Sequence, residues 1–301
     1  MFTKKTTLII PTRNRFNLLS KTLRNLKNLK IKFKEILVID SSDKIEHEKI
    51  KKIKKKFSLK IFRSKPSSSL QRNIGINKMN KSNEYFMLLD DDIIFKKNSF
   101  KNMNSAIALN KNKKVIGFAF CQNNRIKNTF FEKLKNSFLS EFLGLYKNEP
   151  GKVLNSGWQT KIFKTKKNYY AEWLPTAATV YKKKYVKSRF DTTFGEYSYL
   201  EDLDFSIGVK KKNNFFLVVS DAIFFHKNEK KRNSFLFGYY EIVNRCKIVK
   251  KYKFNLFHFY YISIIKVFMN LCQILTNLKL IPKFLGNIFG LFGTLKVIFF
   301  K

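Results

Sequence analysis

Hydrophobic and polar positions change register repeatedly through the first part of the chain. Thr7–Pro11 is a short apolar run closed by proline, the pattern of a buried strand. Leu18, Leu19, Leu23, Leu26 and Leu29, with Thr22 between them, then recur at three- and four-residue spacing, which predicts an amphipathic helix. Glu35–Asp40, Leu59–Arg63 and Tyr85–Leu89 read as three further strands. Between them, Lys44–Phe57 and Ser67–Met79 read as helices. The first of these carries a narrow inward stripe of Ile50, Ile53 and Phe57, so its lysines form a solvated face. This βαβαβαβ order predicts an α/β fold with a parallel, doubly wound sheet and helices on both faces. A helix near Asn98–Leu109 and a strand near Val115–Cys121 continue it.

From Gln122 to Tyr170 the periodicity weakens, as it does in long functional loops. Regular order returns with Trp173–Tyr181, a helix around Glu201–Val209 and a strand at Phe215–Ser220, and from Phe235 onward the pattern is helical. Two domains are expected: residues 1–228, and a helical segment 229–301. From Phe254 to Lys301 the chain has no acidic residue and five lysines among many Phe, Ile, Leu and Tyr. Leu256–Leu278 approaches the roughly 20 apolar residues that span a bilayer. Lys266, Asn270 and Gln273 interrupt it, however, and a central Lys costs about 2.5–3.5 kcal/mol in an inserted helix. Helices lying in the plane of an anionic membrane surface are therefore expected. The plainer alternative is that they cover the sheet domain or form a dimer.

Composition changes this picture less than it first promises. Lys and Arg number 61 against 21 Asp and Glu, a formal +40 that invites a nucleic-acid reading. The basic residues are 52 Lys to 9 Arg, alongside 29 Asn and 33 Phe, all residue types except Arg favoured by A+T-rich codons. Nucleic-acid sites cluster Arg with aromatics on one face, whereas these lysines spread over the whole chain, so no nucleic acid is expected. Three scattered Cys and three scattered His exclude a disulfide framework, a zinc site and HExxH chemistry, and suit a reducing cytosol. The first turn, Pro11-Thr12-Arg13-Asn14, lacks the GxGxxG of a nicotinamide-binding fold.

The few acids are more informative than the many bases. Asp90-Asp91-Asp92 follow the fourth strand at its carboxyl end, where open parallel sheets bind ligands. Adjacent carboxylates repel and need a compensating cation. Asp90 and Asp92, two apart, face the same way in an extended segment and suit Mg2+ or Mn2+ with substrate phosphates. A charged turn is the bland alternative. Glu201, Asp202 and Asp204 open a later helix, where carboxylates also complement the macrodipole. Leu200, Leu203 and Ile207 supply the buried stripe and leave Asp202 off it, free to serve as a general base beside a metal–phosphate site.

Taken in order, these motifs resemble the inverting, GT-A-fold glycosyltransferases of family 2, over about residues 5–250. The fold implied is Rossmann-like, a mainly parallel sheet flanked by helices, with a C-terminal helical extension. Pro11-Thr12-Arg13-Asn14 is similar to the nucleotide-binding turn of that family, and Asp40 to the carboxylate that contacts base or ribose. Ser69-Leu70-Gln71-Arg72-Asn73-Ile74-Gly75 resembles the ARNxG helix start, and Asp90-Asp91-Asp92 the DxD motif. Trp173-Leu174-Pro175 resembles the segment before the acceptor pocket. Gly195-Glu196-Tyr197 through Glu201-Asp202 resembles the ED motif that carries the base. The resemblance implies a nucleotide-diphosphate sugar held by Pro11, Thr12, Arg13, Asp40, Arg72, Asn73, Asp90 and Asp91. It implies Mg2+ or Mn2+ on Asp92, Asp90 and His226, and Asp202 as base with Glu201 as the alternative. It places Trp173 and Leu174 on the acceptor side. It further implies a glycan or glycolipid acceptor in cell-surface polysaccharide or lipopolysaccharide synthesis. The enzyme would sit in the cytoplasm, peripheral to the inner membrane through its C-terminal helices. Departures from the family pattern are Ser41-Ser42-Asp43 after Asp40, Ser67-Ser68-Ser69 where Gly often sits, and Thr176-Ala177-Ala178 in place of a Gly pair. A catalytically degenerate relative is the remaining alternative, and the intact acid clusters argue against it.

Overall fold

A computed structural model describes residues 1–111, 113–123, 137–195, 197–226 and 233–299. The chain divides into two compact units, residues 1–125 with 162–228, and residues 126–161 with 229–301. The expected boundary at 228/229 lies outside the described residues, as does Glu196.

In the first unit, β1 (Thr6–Thr12), β2 (Glu35–Asp40), β3 (Leu59–Arg63) and β4 (Tyr85–Leu89) pair in parallel in the order β3-β2-β1-β4. The connections carry α1 (Phe16–Asn28), α2 (Lys44–Lys52), α3 (Lys54–Phe57) and α4 (Ser68–Lys78). Leu18, Leu19, Leu23 and Leu26 are the buried face of α1, as their spacing predicts. Ser67 caps α4 by accepting the Leu70 N–H at 3.3 Å. Gly75 lets α4 lie directly on β1, because a Cβ there would stand 2.3 Å from Ile9 Cγ2.

Beyond β4 the sheet departs from the expected doubly wound order. It adds β5 (Ile93–Phe95), β6 (Val115–Gln122), β7 (Tyr169–Ala171), β8 (Ala178–Lys182) and β9 (Phe215–His226), with α5 (Ser99–Leu109) between β5 and β6. β8 lies between β4 and β6 and runs antiparallel to both, whereas β6 and β9 are parallel. β5 and β7 both pair antiparallel with β9. A parallel neighbour requires a crossover, and β8 is reached instead through the irregular residues 172–177. The Trp173–Tyr181 run is accordingly a strand only from Ala178. Three-residue β5 was invisible to periodicity, being shorter than one alternation window. Phe95, Phe100, Phe118, Phe120 and Phe224 lie in one apolar core beneath these strands with Leu8, Ile10 and Met87.

The second unit contains α6 (Phe138–Phe142), α8 (Ser234–Lys251), α9 (Leu256–Ile274) and α10 (Ile281–Phe299), while α7 (Glu201–Val209) belongs to the first. Helices α8 and α10 meet backbone to backbone: a Cβ on Gly286 would stand 2.1 Å from the Phe235 carbonyl oxygen, and one on Gly238 2.2 Å from that of Lys283. Such small-residue seams let helices approach closely. The other faces of α9 and α10 remain uncovered in this unit. Phe257, Ile264, Phe268 and Leu271 form an exposed stripe at helical spacing on α9, continued by its C-cap Leu275, and Leu285, Phe289, Phe292 and Phe299 form one on α10.

Candidate active site

The acidic residues converge at the carboxyl ends of β4 and β9 and the start of α7. Asp90 leaves β4 with its N–H donated to the Ala177 carbonyl at 2.9 Å. Asp92 lies two residues on, and His226 is the last residue of β9. One ligand atom from each of Asp90, Asp92 and His226 lies within 4.8 Å of the others. His226 Nε2 is 2.7 Å from Asp92 Oδ1, an ion-pair distance. That buried oxygen has no other hydrogen-bond partner. Two carboxylates and an imidazole clustered this closely are a donor set that fits a divalent cation such as Mg2+ or Mn2+. Burial pushes the Asp92 carboxyl upward, but His226 and Arg15 outweigh it and hold Asp92 below the ordinary carboxylate range. Burial likewise opposes protonation of His226, and the carboxylates of Asp92 and Asp90 overcome it, raising the imidazole.

Asp91 plays a different part from its neighbours. It is 3% exposed; Thr12 Oγ1 donates to Oδ2 at 2.6 Å and Arg15 Nη1 to Oδ1 at 2.8 Å, while its carbonyl accepts from Thr22 Oγ1 at 2.8 Å. Burial raises it to about 7 despite the pull of Arg15 and Thr12. Asp91 therefore stitches β1 and α1 beneath the cluster, a positioning arrangement, where the family resemblance implies a nucleotide contact. Arg15 bonds Asp92 as well, so one guanidinium spans two members of the triplet.

The two acid clusters, more than a hundred residues apart in the sequence, are joined by Arg72. This side chain, 4% exposed, donates one terminal nitrogen to Asp90 Oδ1 at 3.0 Å and the other to Glu201 Oε1. Glu201 also accepts from Ser68 Oγ at 2.7 Å and from Ser69 Oγ. A buried carboxylate holding three donors is a structural anchor. Asp202 is only partly buried. Burial, and then the charge of Glu201, push it up to about 6, with the Leu203 N–H at 2.8 Å and Arg72 opposing. That value suits a base working near neutrality. The helix that presents it starts under strain: Ser198 and Leu200 take φ of 45° and 69°, a left-handed region that side chains other than glycine disfavour.

Other expected residues sit as follows. Pro11 and Thr12 end β1 and are buried, and Arg13 is exposed in the turn beyond. Asp40 is fully buried at the end of β2. Asn73 binds the backbone of Phe190 at both ends, donating to its carbonyl and accepting its N–H, each at 2.8 Å, which makes it a clamp on the segment before α7. Leu174 is fully buried with its backbone held by Ser206 at 3.0 Å, so its side chain is core and not acceptor surface. Trp173 keeps 8% exposure. The sequence reading missed Arg15, Ser68, Ser69 and Gln71. A signal existed for Arg15: a run of three aspartates demands a cation, and Arg is scarce in this chain. Gln71 donates to the carbonyls of Thr12 and Ile39, at 2.9 and 2.6 Å, tying the ends of β1 and β2.

A mixed sheet with an acid–histidine trio at its carboxyl edge and a second acidic helix beside it is the architecture of the GT-A class of folds. Residues 7–182, more than half the chain, match the family model Glycosyl transferase family 2, and the chain belongs to that family of sugar-transferring enzymes. No curated protein sequence matches it. Among solved structures the chain is similar to the mannosyltransferase PcManGT from Pyrobaculum calidifontis, a complex with GDP-Man and Mn2+. The TM-score is 0.57 at 13% identity, over 88% of this chain and 71% of that one. It is also similar to S. aureus TarS 1-349, with a TM-score of 0.51 at 17% identity, over 85% and 68%. GalNAc-T7 with UDP, GalNAc and Mn2+ gives a TM-score of 0.53 at 14% identity, this chain spanning about half (48%) of its length. At these identities the likeness establishes the GT-A fold.

Proposed function

We propose that this chain is an inverting glycosyltransferase that moves a sugar from a nucleotide-diphosphate sugar to a hydroxyl acceptor. The observation that carries the reading is the network Asp92–His226, Asp90–Arg72–Glu201 and Asp202, in which three clustered donor groups are linked through Arg72 to the helix that bears a raised carboxylate. Asp90, Asp92 and His226 would hold Mg2+ or Mn2+, which would supply positive charge to a diphosphate leaving group. Asp202 takes the proton of the acceptor hydroxyl as that oxygen attacks the anomeric carbon from the face opposite the leaving group. Arg72 and Glu201 fix the distance between the base helix and the strand end that bears Asp90. The solved neighbours bound to GDP-Man, or to UDP and GalNAc, with Mn2+ support the same donor class.

The acceptor is a glycan or glycolipid of cell-surface polysaccharide or lipopolysaccharide assembly, and the enzyme works at the cytoplasmic face of the inner membrane. Support comes from the second unit. The uncovered stripes of α9 and α10 carry apolar side chains 41–88% exposed, in an acid-free stretch with five lysines. Leu278–Phe299 is long and apolar enough to cross a bilayer. Its packed partner α8, however, carries Glu241, Arg245, Lys247, Lys250 and Lys251, which favours the pair lying in the interface. An NMR assay of donor turnover with Mn2+ tests the chemistry. Inversion at the anomeric carbon is expected, and retention or turnover unchanged by EDTA would refute it.

A further inference from the structure

Three side chains stand in one row across the carboxyl edge of the sheet. Thr12 of β1 is in register with Asp40 of β2, and Asp40 with Arg63 of β3. The middle member is fully buried and committed: Oδ1 accepts the Ser42 N–H at 2.9 Å, and Oδ2 accepts from Arg63 Nη1 at 2.8 Å and lies 2.5 Å from His47 Nδ1. The loops after β1 and β2 close over it, Asn14 N–H donating to Ser42 Oγ at 2.7 Å and Asp43 N–H to Asn14 Oδ1 at 2.9 Å. With both oxygens bonded and no exposed surface, Asp40 presents no accessible acceptor to a nucleotide base.

Arg63 is differently placed. Its side chain is 51% exposed, and its second bond runs from Nη2 to the Ser42 carbonyl at 2.7 Å. Two of the five guanidinium N–H groups are used, and each terminal nitrogen retains one. In a chain that fills most basic positions with Lys, this Arg spans Asp40 and Ser42 at once, which fixes the plane of the fork. A pinned, half-exposed fork favours two adjacent acceptors on one edge of a planar ring, as in the O6/N7 edge of guanine. Uracil separates its two carbonyls with N3–H, which needs an exposed acceptor that buried Asp40 does not present.

We propose that Arg63 reads the base of the donor nucleotide and selects a guanine nucleotide over a uracil one. The inference rests on the nucleotide-sugar reading above. The test is calorimetry of GDP and UDP with Mn2+ on the full-length wild type, Arg63→Ala and Arg63→Lys, with melting temperatures recorded for each. Wild type is expected to bind GDP at least about tenfold more tightly than UDP. Both variants should weaken GDP about 10- to 100-fold and leave UDP within a few-fold. The Arg63→Lys variant keeps a cation beside Asp40, so a loss of GDP affinity without a drop in melting temperature marks a lost ligand contact. Equal or tighter UDP binding by wild type, or a preference that survives Arg63→Lys, overturns the inference and leaves the donor reading intact. Binding of neither nucleotide overturns both.

Discussion

Asp202→Asn should make this protein more stable and catalytically silent at once. Asp202 is held at about 6, against an ordinary 3.8, with burial the leading cause. Above pH 6 the carboxylate is ionised in both the folded and the unfolded chain, and the folded state bears the cost of its poor solvation. Between pH 6 and 4 the folded form takes up its proton first and the cost shrinks; below about 4 both forms are protonated and it disappears. The rise from 3.8 to about 6 corresponds to about 3 kcal/mol, which partial exposure reduces to roughly 1–3 kcal/mol. Asn keeps the shape, and its carbonyl can still accept the Leu203 N–H. At pH 7.5 the variant should melt a few degrees above wild type. That gain should fade as the pH is lowered to 4. Sugar transfer should fall about 10²–10⁴-fold, the usual worth of a general base, with donor binding unchanged. In wild type, kcat/KM should rise with pH through about 6 and level off. Turnover near wild type in the variant would show that Asp202 is not the base, and a destabilisation independent of pH would show that it is not a carboxylate strained by burial.

Other substitutions probe the frame around the site. Gly75→Ala drives a methyl to 2.3 Å from Ile9 Cγ2, where α4 lies on β1, and should cost about 1–3 kcal/mol in denaturant unfolding. His226→Ala removes one of three clustered ligand groups and should raise the Mn2+ concentration for half-maximal activity by about tenfold or more, with kcat recovering at high metal. Phe268→Asp with Phe292→Asp places charge in the exposed stripes of α9 and α10. It should abolish co-sedimentation with anionic vesicles and leave the melting temperature within a degree or two.

The strand-and-helix succession up to β4 was legible because each element buries a regular stripe, as Leu18, Leu19, Leu23 and Leu26 do on α1. The direction of β8 was not: pairing sense depends on how the chain travels between strands, and the apolar residues of a two-face-buried strand read alike either way. The acidic pairs were legible as clusters because acids are rare here, but not in their individual roles. Asp90, Asp91 and Asp92 are identical as letters, and partners distant in sequence divide them. Thr12 and Arg15 draw Asp91 inward, while His226 and Arg72 face its neighbours. Glu201 and Asp202 part in the same way, since Ser68, Ser69 and Arg72 saturate the first and leave the second exposed enough to act.

The central claim is that a divalent cation on Asp90, Asp92 and His226 carries the diphosphate of a sugar nucleotide. Calorimetric titration of nucleotide-sugar donors tests it most directly, with Mn2+ and with EDTA, in wild type and in Asp92→Asn. Donor binding is expected to require Mn2+ in wild type and to be lost or weakened at least about tenfold in the variant. Donor binding of equal affinity in EDTA, or undiminished in Asp92→Asn, would contradict it.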